Sequence, residues 1–258
     1  MSAPVVLKLG GELLEDRAQL ESVVAALAAV AAAMPLVVVH GGGREIDAAL
    51  RQAGLEKRQV EGLRITDPAA LAVVVAVLAG AVNTRLTAAL TTAGVRAVGL
   101  TGADGACGIA DRAPAYRTAD GRTIDLGEVG VPAAAAHMGL VTTLVDAGYV
   151  PVVASVGLGR DGRLLNVNAD TFAGHLAARL PAARLIIAGT TPGVLDADGR
   201  TIRDAGAADI ERLVGEGTAT NGMVAKLGAC TQALAGGVRD VLILDGRDGV
   251  ALEEAASG

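Results

Sequence analysis

Aromatic side chains are almost absent from this chain: phenylalanine, tyrosine and tryptophan make up 1% of its 258 residues, and tryptophan does not occur. Because 52% of the residues are hydrophobic, the core has to be built from alanine, valine, leucine and isoleucine. Such a mixture favours helices packed on a parallel sheet over an aromatic-rich β-sandwich. The length allows one large α/β domain or two closely joined lobes.

Cysteine and clustered positive charge are also scarce, which restricts the compartment and the partners. Cys107 and Cys230 are too few and too far apart for a disulfide framework or a zinc site, and they fit a reducing cytoplasm. A net charge of -6 without any basic cluster argues against a nucleic-acid surface. The longest uncharged apolar stretch, residues 23–39, is interrupted by Pro35, so we interpret it as a helix, a turn and a strand. Without a secretory signal, the sequence predicts a cytoplasmic protein with no membrane contact.

Several catalytic signatures are missing as well. The P-loop pattern GxxxxGK[ST] does not occur. The GxGxxG match at residues 157–162 is followed by another strand pattern, where dinucleotide binding requires a helix. His40, His137 and His175 have no carboxylate or cysteine at metal-ligand spacing, and no nucleophile elbow accompanies them. The sequence therefore predicts structural histidines and no metal held by the protein itself.

Short apolar runs alternate with segments rich in alanine and leucine. This alternation predicts a mainly parallel sheet with helices on both faces and right-handed crossovers. The candidate strands are Val5–Leu9, Leu36–Val39, Ala97–Leu100, Val150–Ala154, Arg184–Ala188 and Asp240–Leu244. The candidate helices begin near Ala18, Glu45, Asp67, Ala134, Asp170, Ala207 and Asn221. Asp-Gly pairs at 120–121, 161–162 and 198–199 predict three β-hairpins, and a soft division of the chain falls near residue 165.

Two glycine-rich segments follow predicted strands and suggest anion binding. Lys8 lies inside the first apolar run, and Gly10 and Gly11 after it allow the backbone to approach a phosphate closely. A lysine that merely extends to water is the alternative. Residues 40–43, HGGG, connect a strand to a helix, where free N–H groups and the helix dipole attract an anion. Tight strand–helix packing is the alternative there, but it would not need three glycines in a row.

Polar side chains also gather near predicted helix starts. Arg64 either binds a carboxylate through its planar fork or lies at the surface. Asn166, Asn168 and Asp170 crowd the start of a helix that needs only one of them as a cap, so two remain for ligands or for positioning cations. Lys226 lies in the first two turns of a helix, close to the positive end of the dipole. A lysine does not stabilise a helix there, which favours a ligand role.

In this order along the chain, six segments resemble the amino acid kinase family, and within it the group that acts on N-acetylglutamate. The segments are KLGG at 8–11, HGGG at 40–43, GLRIT at 62–66, NVNAD at 166–170, the GM..K pattern at 222–226 and DGR at 245–247. The resemblance covers nearly the whole chain. The first two motifs are shared across related kinases, and the GLRIT and NVNAD pair is more specific.

The resemblance implies an open αβα sandwich with a mainly parallel sheet of about eight strands. Residues 1–165 would form the amino-acid substrate lobe with the dimer interface, and residues 166–258 the nucleotide-binding lobe. ATP, carrying Mg²⁺, would phosphorylate the γ-carboxylate of N-acetyl-L-glutamate, a step of arginine biosynthesis. The implied site comprises the catalytic residues Lys8, Lys226 and Asp170, the phosphate-binding residues Gly10 and Gly11, the substrate-binding residues Gly42, Gly43, Arg64, Asn166 and Asn168, and the nucleotide-binding residues Thr190, Gly222 and Met223.

The implied roles agree with the chemistry of the acceptor. Lys8 and Lys226 would stabilise the transferring phosphoryl group, Asp170 would hold both lysines, Arg64 would bind the α-carboxylate, and the glycines would supply backbone donors. A γ-carboxylate is already ionised near neutral pH, so no general base is needed. Catalysis then reduces to positioning and to neutralising charge on the phosphoryl oxygens.

The sequence departs from the family pattern in three places. Thr190 stands where relatives often carry an aspartate, and the chain stops at Gly258 without a Gly-Thr tail. The first strand starts near residue 4, without the N-terminal helix of arginine-inhibited hexameric relatives, so we expect a homodimer without arginine feedback. The alternatives are a kinase for carrier-protein-linked aminoadipate or another amino acid, and a non-catalytic regulatory protein on the kinase fold.

Overall fold

A computed structural model describes residues 3–118, 120–196, 198–202, 205–216 and 222–258. In chain order the strands are β1 (Val5–Leu9), β2 (Leu36–His40), β3 (Gln59–Val60), β4 (Leu63–Arg64), β5 (Ala97–Thr101), β6 (Ile109–Arg112), β7 (Tyr116–Arg117), β8 (Thr123–Ile124), β9 (Val129–Pro132), β10 (Val150–Ala154), β11 (Val156–Gly159), β12 (Leu164–Val167), β13 (Arg184–Gly189), β14 (Val194–Leu195), β15 (Thr201–Ile202) and β16 (Asp240–Asp245). The helices are α1 (Arg17–Ala33), α2 (Gly43–Gln52), α3 (Pro68–Val75), α4 (Asn83–Thr92), α5 (Gly139–Asp146), α6 (Ala169–Arg179), α7 (Ala207–Gly215), α8 (Gly222–Ala235) and α9 (Gly249–Ser257).

The central sheet has six strands in the order β16-β13-β1-β2-β10-β5, and every neighbouring pair is parallel. These are the six apolar runs that the sequence predicted, so the α/β class and the parallel sheet are confirmed. The sheet has fewer strands than the eight or so expected, because β6, β9, β11 and β12 close into a separate small barrel. Gly130 and Gly157 allow this closure, since a Cβ on either would lie 2.9 Å from a barrel side chain, Leu165 or Val167.

Both faces of the sheet are buried, and the strand alternation decides which face each residue joins. Val5, Leu7 and Leu9 of β1 belong to the apolar cluster that includes α1 and α9. Val6 belongs to the opposite cluster, which includes α6 and α8. Because side chains alternate along a strand, Lys8 lies on the same face as Val6. The only charged residue of β1 therefore points toward α6.

One long apolar helical run covers part of the sheet. It comprises α3, a π-helical segment (Ala76–Val82) and α4, and it begins at Pro68 with Asp67 as N-cap, whose carboxylate accepts from the amide of Ala70. Its 25 residues include an 18-residue window of mean hydropathy 1.9, of which 39% is buried. By length and composition it is the one described helix that would suffice to cross a membrane. Core helices of water-soluble proteins meet the same criterion, and Val74 and Leu78 of this run lie in the core.

The structure also settles the remaining predictions of local structure. The hairpins β7–β8, β11–β12 and β14–β15 are confirmed, and the GxGxxG match is the β11–β12 turn. The helix expected near Ala134 was wrong by five residues, since α5 begins at Gly139. Helices α4 and α9 were not predicted, although α9 has a clear N-cap in Asp248, which accepts from two backbone amides. The helix expected near Asn221 is confirmed as α8, whose first described residue is Gly222, while Asn221 itself lies outside the described residues.

Candidate active site

A cavity of about 300 Å³ opens at the carboxyl ends of β1, β2 and β10. Polar groups collect at this edge because the carboxyl ends of neighbouring parallel strands lie side by side. The structure brings to it the following predicted site residues: Lys8, Gly11, Gly42, Gly43, Arg64, Asn166, Asn168 and Asp170. Segments separated by more than a hundred residues in sequence thus line one small space.

Asp170 joins two lysines from different parts of the fold. Its Oδ1 atom lies 2.8 Å from Nζ of Lys8, and its Oδ2 atom lies 3.0 Å from Nζ of Lys226. Asp170 and Lys8 are each 5% exposed. The three residues belong to α6, β1 and α8, so this one carboxylate ties a strand of the sheet to the two helices that pack on it.

Within this cluster two lysines share one carboxylate, and Glu12 is a further acidic group close to Lys8 in the same cavity. Burial disfavours ionisation of Asp170, but Lys8 and Lys226 together hold its pKa below the usual range. Burial, aided by the charge of Lys226 and opposed by Asp170, lowers the pKa of Lys8. Two cations thus share one buried anion. A phosphate bound here would add negative charge and would favour the protonated form of Lys8.

The start of α6 places Asp170 at this point. Asn168 is the N-cap, and its Oδ1 accepts from the amides of Asp170 (2.9 Å) and Thr171 (3.1 Å). Asn166 lies two residues earlier on β12, and its Nδ2 donates to Oγ1 of Thr66 at 3.0 Å. Asn168 therefore caps the helix, Asp170 holds the lysines and Asn166 is bonded to Thr66, while all three side chains line the cavity.

The two glycine loops meet directly, and their amides are the backbone donors of the site. A Cβ on Gly11 would lie 2.8 Å from Cα of Gly42 and 3.2 Å from N of Gly43, so only glycine permits this approach. Within the described residues, the N–H groups of Gly11, Gly42 and Gly43 donate to no protein acceptor. All three line the cavity, where an anion can accept from them.

Gly10 does not provide a free donor, which corrects part of the sequence prediction. Its N–H donates to the carbonyl of Ala188 at 2.8 Å and so links the end of β1 to β13. A Cβ at this position would lie 2.4 Å from Oε1 of Glu12. Gly10 therefore makes room for the Glu12 side chain, which lines the cavity close to Lys8.

Arg64 presents one unused edge of its guanidinium to the site. Its Nη2 donates to the Asp47 carboxylate and, at 3.3 Å, to the carbonyl of Gly43. Lys57 lies 2.8 Å from the same carboxylate. Nη1 of Arg64 is buried and lacks a hydrogen-bond partner in the described structure, and the Arg64 side chain lines the cavity. Because a buried unpaired donor is costly, this atom points to a ligand acceptor such as a carboxylate.

The predicted nucleotide residues lie outside this cavity. Thr190 lies just after β13, and Gly222 is the first residue of α8. Both are exposed. Met223 is half-buried and packs against Ile210 and Leu227. Thr220 and Asn221 lie outside the described residues. The roles of Thr190, Gly222 and Met223 stay predictions.

Sequence reasoning missed several residues that shape the site. Asp47 orients Arg64, Thr66 binds Asn166, and Glu12 lies over Gly10. Asp47 and Glu12 carried no signal, since a lone acidic residue on a helix is usually solvated. Thr66 lies inside GLRIT and was quoted only as part of the motif. No group of three or more His, Cys, Asp or Glu side chains in the described part of the chain could hold a metal ion.

Comparison with known proteins agrees with this geometry. The family model of the amino acid kinase family matches residues 3–245. The chain belongs to the amino acid kinase family. It is 41% identical over 254 residues to the acetylglutamate kinase of Granulibacter bethesdensis, covering 95% of this chain and 84% of that one. It is 42% identical over 241 residues to the acetylglutamate kinase of Methanopyrus kandleri, covering 92% and 93%. The solved structure of smu.665 from Streptococcus mutans UA159 superposes with a TM-score of 0.81 at 27% identity, covering 95% and 96%.

In this amino acid kinase, the buried cluster makes a testable contribution to stability. We expect Asp170→Asn to lower the free energy of unfolding at pH 7 by about 3 kcal/mol, because it leaves two buried cations without their anion. The pKa of Asp170 is lowered by folding, so its stabilisation exists above the ordinary carboxyl pKa and is lost as pH falls through the folded value. The difference between the variant and the wild type should therefore shrink in acid. Urea unfolding at several pH values measures both effects.

The matched control is Asp111→Asn. Asp111 forms an ion pair with Arg160 at 2.8 Å, but both side chains are more than half exposed. Water screens an exposed pair, which therefore contributes little to stability, so this variant should unfold almost like the wild type. Equal stabilities of the Asp170 and Asp111 variants would contradict the account.

Proposed function

We propose that this protein is an acetylglutamate kinase that uses ATP to phosphorylate the γ-carboxylate of N-acetyl-L-glutamate in arginine biosynthesis. The observation that carries the proposal is the pairing, in one cavity, of an anion-binding cluster with a guanidinium that has a free buried edge. The first is suited to a phosphoryl group and the second to a carboxylate. The relatives named above as acetylglutamate kinases support this reading.

The acceptor half of the reaction is assigned to Arg64 on β4, to the loop after β2 and to the end of β12 with the residues that follow it. Nη1 of Arg64 would bind the α-carboxylate, with Asp47 fixing the plane of the guanidinium. Asn166 and Asn168 would contact the acetylglutamate backbone, and Thr66 already holds the Asn166 amide. Gly42 and Gly43 would donate to the reacting carboxylate or to the group it receives. A cavity of about 300 Å³ lies at the small end of ligand sites, as this substrate requires.

The phosphoryl half depends on charge and on fixed donors. The ionised γ-carboxylate oxygen attacks the γ-phosphorus of ATP, a new O–P bond forms, and the bond to the β-phosphate oxygen breaks to release ADP. No proton has to be removed from the nucleophile at neutral pH. Lys8, Lys226 and the amide of Gly11 would neutralise charge on the phosphoryl oxygens, while Asp170 holds both lysines in place.

The residues present fit ATP at its phosphate end. The unbalanced charge of the lysine cluster and the free amides of the glycine loops form an anion site, and Thr190, Gly222 and Met223 would line the path of the rest of the nucleotide. A Cβ on Gly222 would meet nothing within 4 Å, which is consistent with open space beside it. Magnesium carried by ATP would reduce the charge on its β- and γ-phosphates.

Acyl phosphate formation tests the proposal. The enzyme is incubated with ATP, Mg²⁺ and hydroxylamine, and the hydroxamate is measured for N-acetyl-L-glutamate, L-glutamate, L-aspartate and N-acetyl-2-aminoadipate. We expect product with N-acetyl-L-glutamate and at least 10-fold less with the others, because an extra methylene or a free amine disturbs the small cavity. Preference for the aminoadipate compound would favour a carrier-linked aminoadipate kinase. No product with any acceptor would favour a non-catalytic protein.

The variant Arg64→Lys tests, in the same assay, whether Arg64 binds the acceptor. A lysine keeps the charge but loses the fork between Asp47 and the substrate. The KM for N-acetyl-L-glutamate should rise about 10-fold or more, since one charge-assisted hydrogen bond is worth about 1.5–3 kcal/mol, while the KM for ATP should change little. An unchanged KM for the acceptor would show that Arg64 does not bind it.

We also propose a cytoplasmic homodimer, with residues 1–165 as the substrate lobe that carries the interface and residues 166–258 as the nucleotide lobe. Strand β5 pairs only with β10 among the described strands, so its other edge is free. The neighbouring helical run exposes Ala69, Ala72 and Ala76 on its surface. A free strand edge beside a smooth apolar helix face is suited to a second copy of the chain.

Light scattering tests the dimer at micromolar concentration. The wild type should show twice the mass of the 25.5 kDa chain. Ala72→Glu should shift the mass toward that of one chain, because it puts a charge into an apolar interface. The control is Ala25→Glu, at an exposed position of α1, which should remain dimeric. A wild type with the mass of a single chain would overturn the proposal.

A further inference from the structure

His40 and Asn83 form a buried polar pair directly beneath the HGGG loop. His40 is the last residue of β2 and is 0% exposed, and Asn83 is the first residue of α4 and is 5% exposed. Nδ2 of Asn83 lies 3.0 Å from Nε2 of His40, and Nδ1 of His40 lies 3.2 Å from the carbonyl oxygen of Gly41. Polar side chains this deep in an apolar core are costly unless every group has a partner.

The surroundings of Asn83 fix the direction of these hydrogen bonds. One hydrogen of its Nδ2 is donated to the carbonyl of Val152 at 2.8 Å, while the carbonyl of Leu100 lies farther away at 3.4 Å, so the second hydrogen is directed at His40. Carbonyl oxygens only accept, so the amide nitrogen, and not the oxygen, has to occupy this position. The Asn83 oxygen instead points at β5, where a Cβ on Gly99 would lie 2.1 Å away. Nε2 of His40 is therefore an acceptor, and the single ring proton of the neutral imidazole is on Nδ1.

This tautomer determines how the next peptide is oriented. With its proton on Nδ1, His40 donates to the carbonyl oxygen of Gly41 and holds that oxygen toward the core. In a trans peptide the carbonyl of one residue and the N–H of the next point in opposite directions. The N–H of Gly42 consequently points away from His40, and Gly42 lines the cavity, where its amide has no protein acceptor in the described chain.

The same helical run supports the loop from below. A Cβ on Gly42 would lie 3.1 Å from Leu78 and 3.2 Å from Val82, both in the π-helical segment that ends just before Asn83. Burial lowers the pKa of His40 to about 4, an effect that the nearby Arg85 reinforces and the Gly41 hydrogen bond opposes. The imidazole thus stays neutral, with one proton, at neutral pH.

We propose that His40 and Asn83 are positioning residues: Asn83 sets the tautomer of His40, and His40 turns the Gly41–Gly42 peptide so that the Gly42 N–H points at the reacting group. The identity of the reacting group, a phosphoryl group or the carboxylate that receives it, rests on the proposed kinase function. A donor fixed in advance needs no reorganisation during the reaction, which is where such groups gain their catalytic effect. The pair itself does not touch the substrate.

Two isosteric substitutions separate positioning from simple core packing. His40→Asn keeps a nitrogen on Cγ, as in Nδ1, and can still donate to Gly41, but it loses Asn83. His40→Gln places its amide where Nε2 was and keeps a partner for Asn83, but it loses Gly41. We expect His40→Asn to retain kcat within about 3-fold, and His40→Gln to lose kcat by about 10- to 100-fold with the KM for ATP nearly unchanged. Equal losses, or the reverse order, would overturn the proposal.

The tautomer of His40 can be measured by NMR, independently of any enzyme assay. In ¹⁵N spectra of the histidine-labelled wild-type protein at pH 7, His40 should show a protonated Nδ1 and an unprotonated Nε2, with Asn83→Leu changing this signature. A wild-type His40 with its proton on Nε2 would refute the assignment even if the variants fail to fold. A wild type that does not phosphorylate N-acetyl-L-glutamate would instead overturn the proposed function. The ¹⁵N spectrum would still test whether Asn83 sets the tautomer of His40.

Discussion

The shared carboxylate of Asp170 is the contact on which the rest of the site depends. It joins Lys8 from β1 and Lys226 from α8 at distances of 2.8 and 3.0 Å in a place that water hardly reaches. Buried lysines repel each other and lose their hydration, so without an anion between them neither would stay charged and in position. Asp170 balances only one of the two charges. Under the proposed function, the other charge would attract the phosphoryl group.

The backbone of the glycine loops supplies N–H donors in addition to the charged side chains. The glycine loops after β1 and β2 approach each other so closely that a Cβ on Gly11 would meet the Gly42 backbone at 2.8 Å. The amides of Gly11, Gly42 and Gly43 face the cavity without a protein acceptor in the described chain, so an anion there could accept from them. In the core below, Asn83 is hydrogen-bonded to His40, and His40 is hydrogen-bonded to the Gly41 carbonyl of the peptide that carries the Gly42 N–H.

Much of this arrangement could be predicted from the sequence, for identifiable reasons. The central strands are continuous apolar runs, because both faces of a parallel sheet are buried. Lys8 stood out because a lysine interrupts such a run, and Asp170 because its helix needed only one of three polar residues as a cap. The small barrel was not predicted, since its strands have only four residues each, two of them with an interior glycine, and carry little periodicity. Nor were Asp47 and Asn83, whose importance arises from partners 17 and 43 residues away in sequence.

The central claim is that Lys8 and Lys226 act together on the transferring phosphoryl group. The most direct measurement is kcat for acyl phosphate formation from N-acetyl-L-glutamate and ATP, at saturating substrates, in Lys8→Met and Lys226→Met, with the exposed Arg17→Met as control. Each lysine variant should lose kcat about 100-fold or more, because each removes a charge aimed at the transition state, while the control keeps the wild-type rate. A lysine variant that retains a tenth or more of the wild-type kcat would contradict this account.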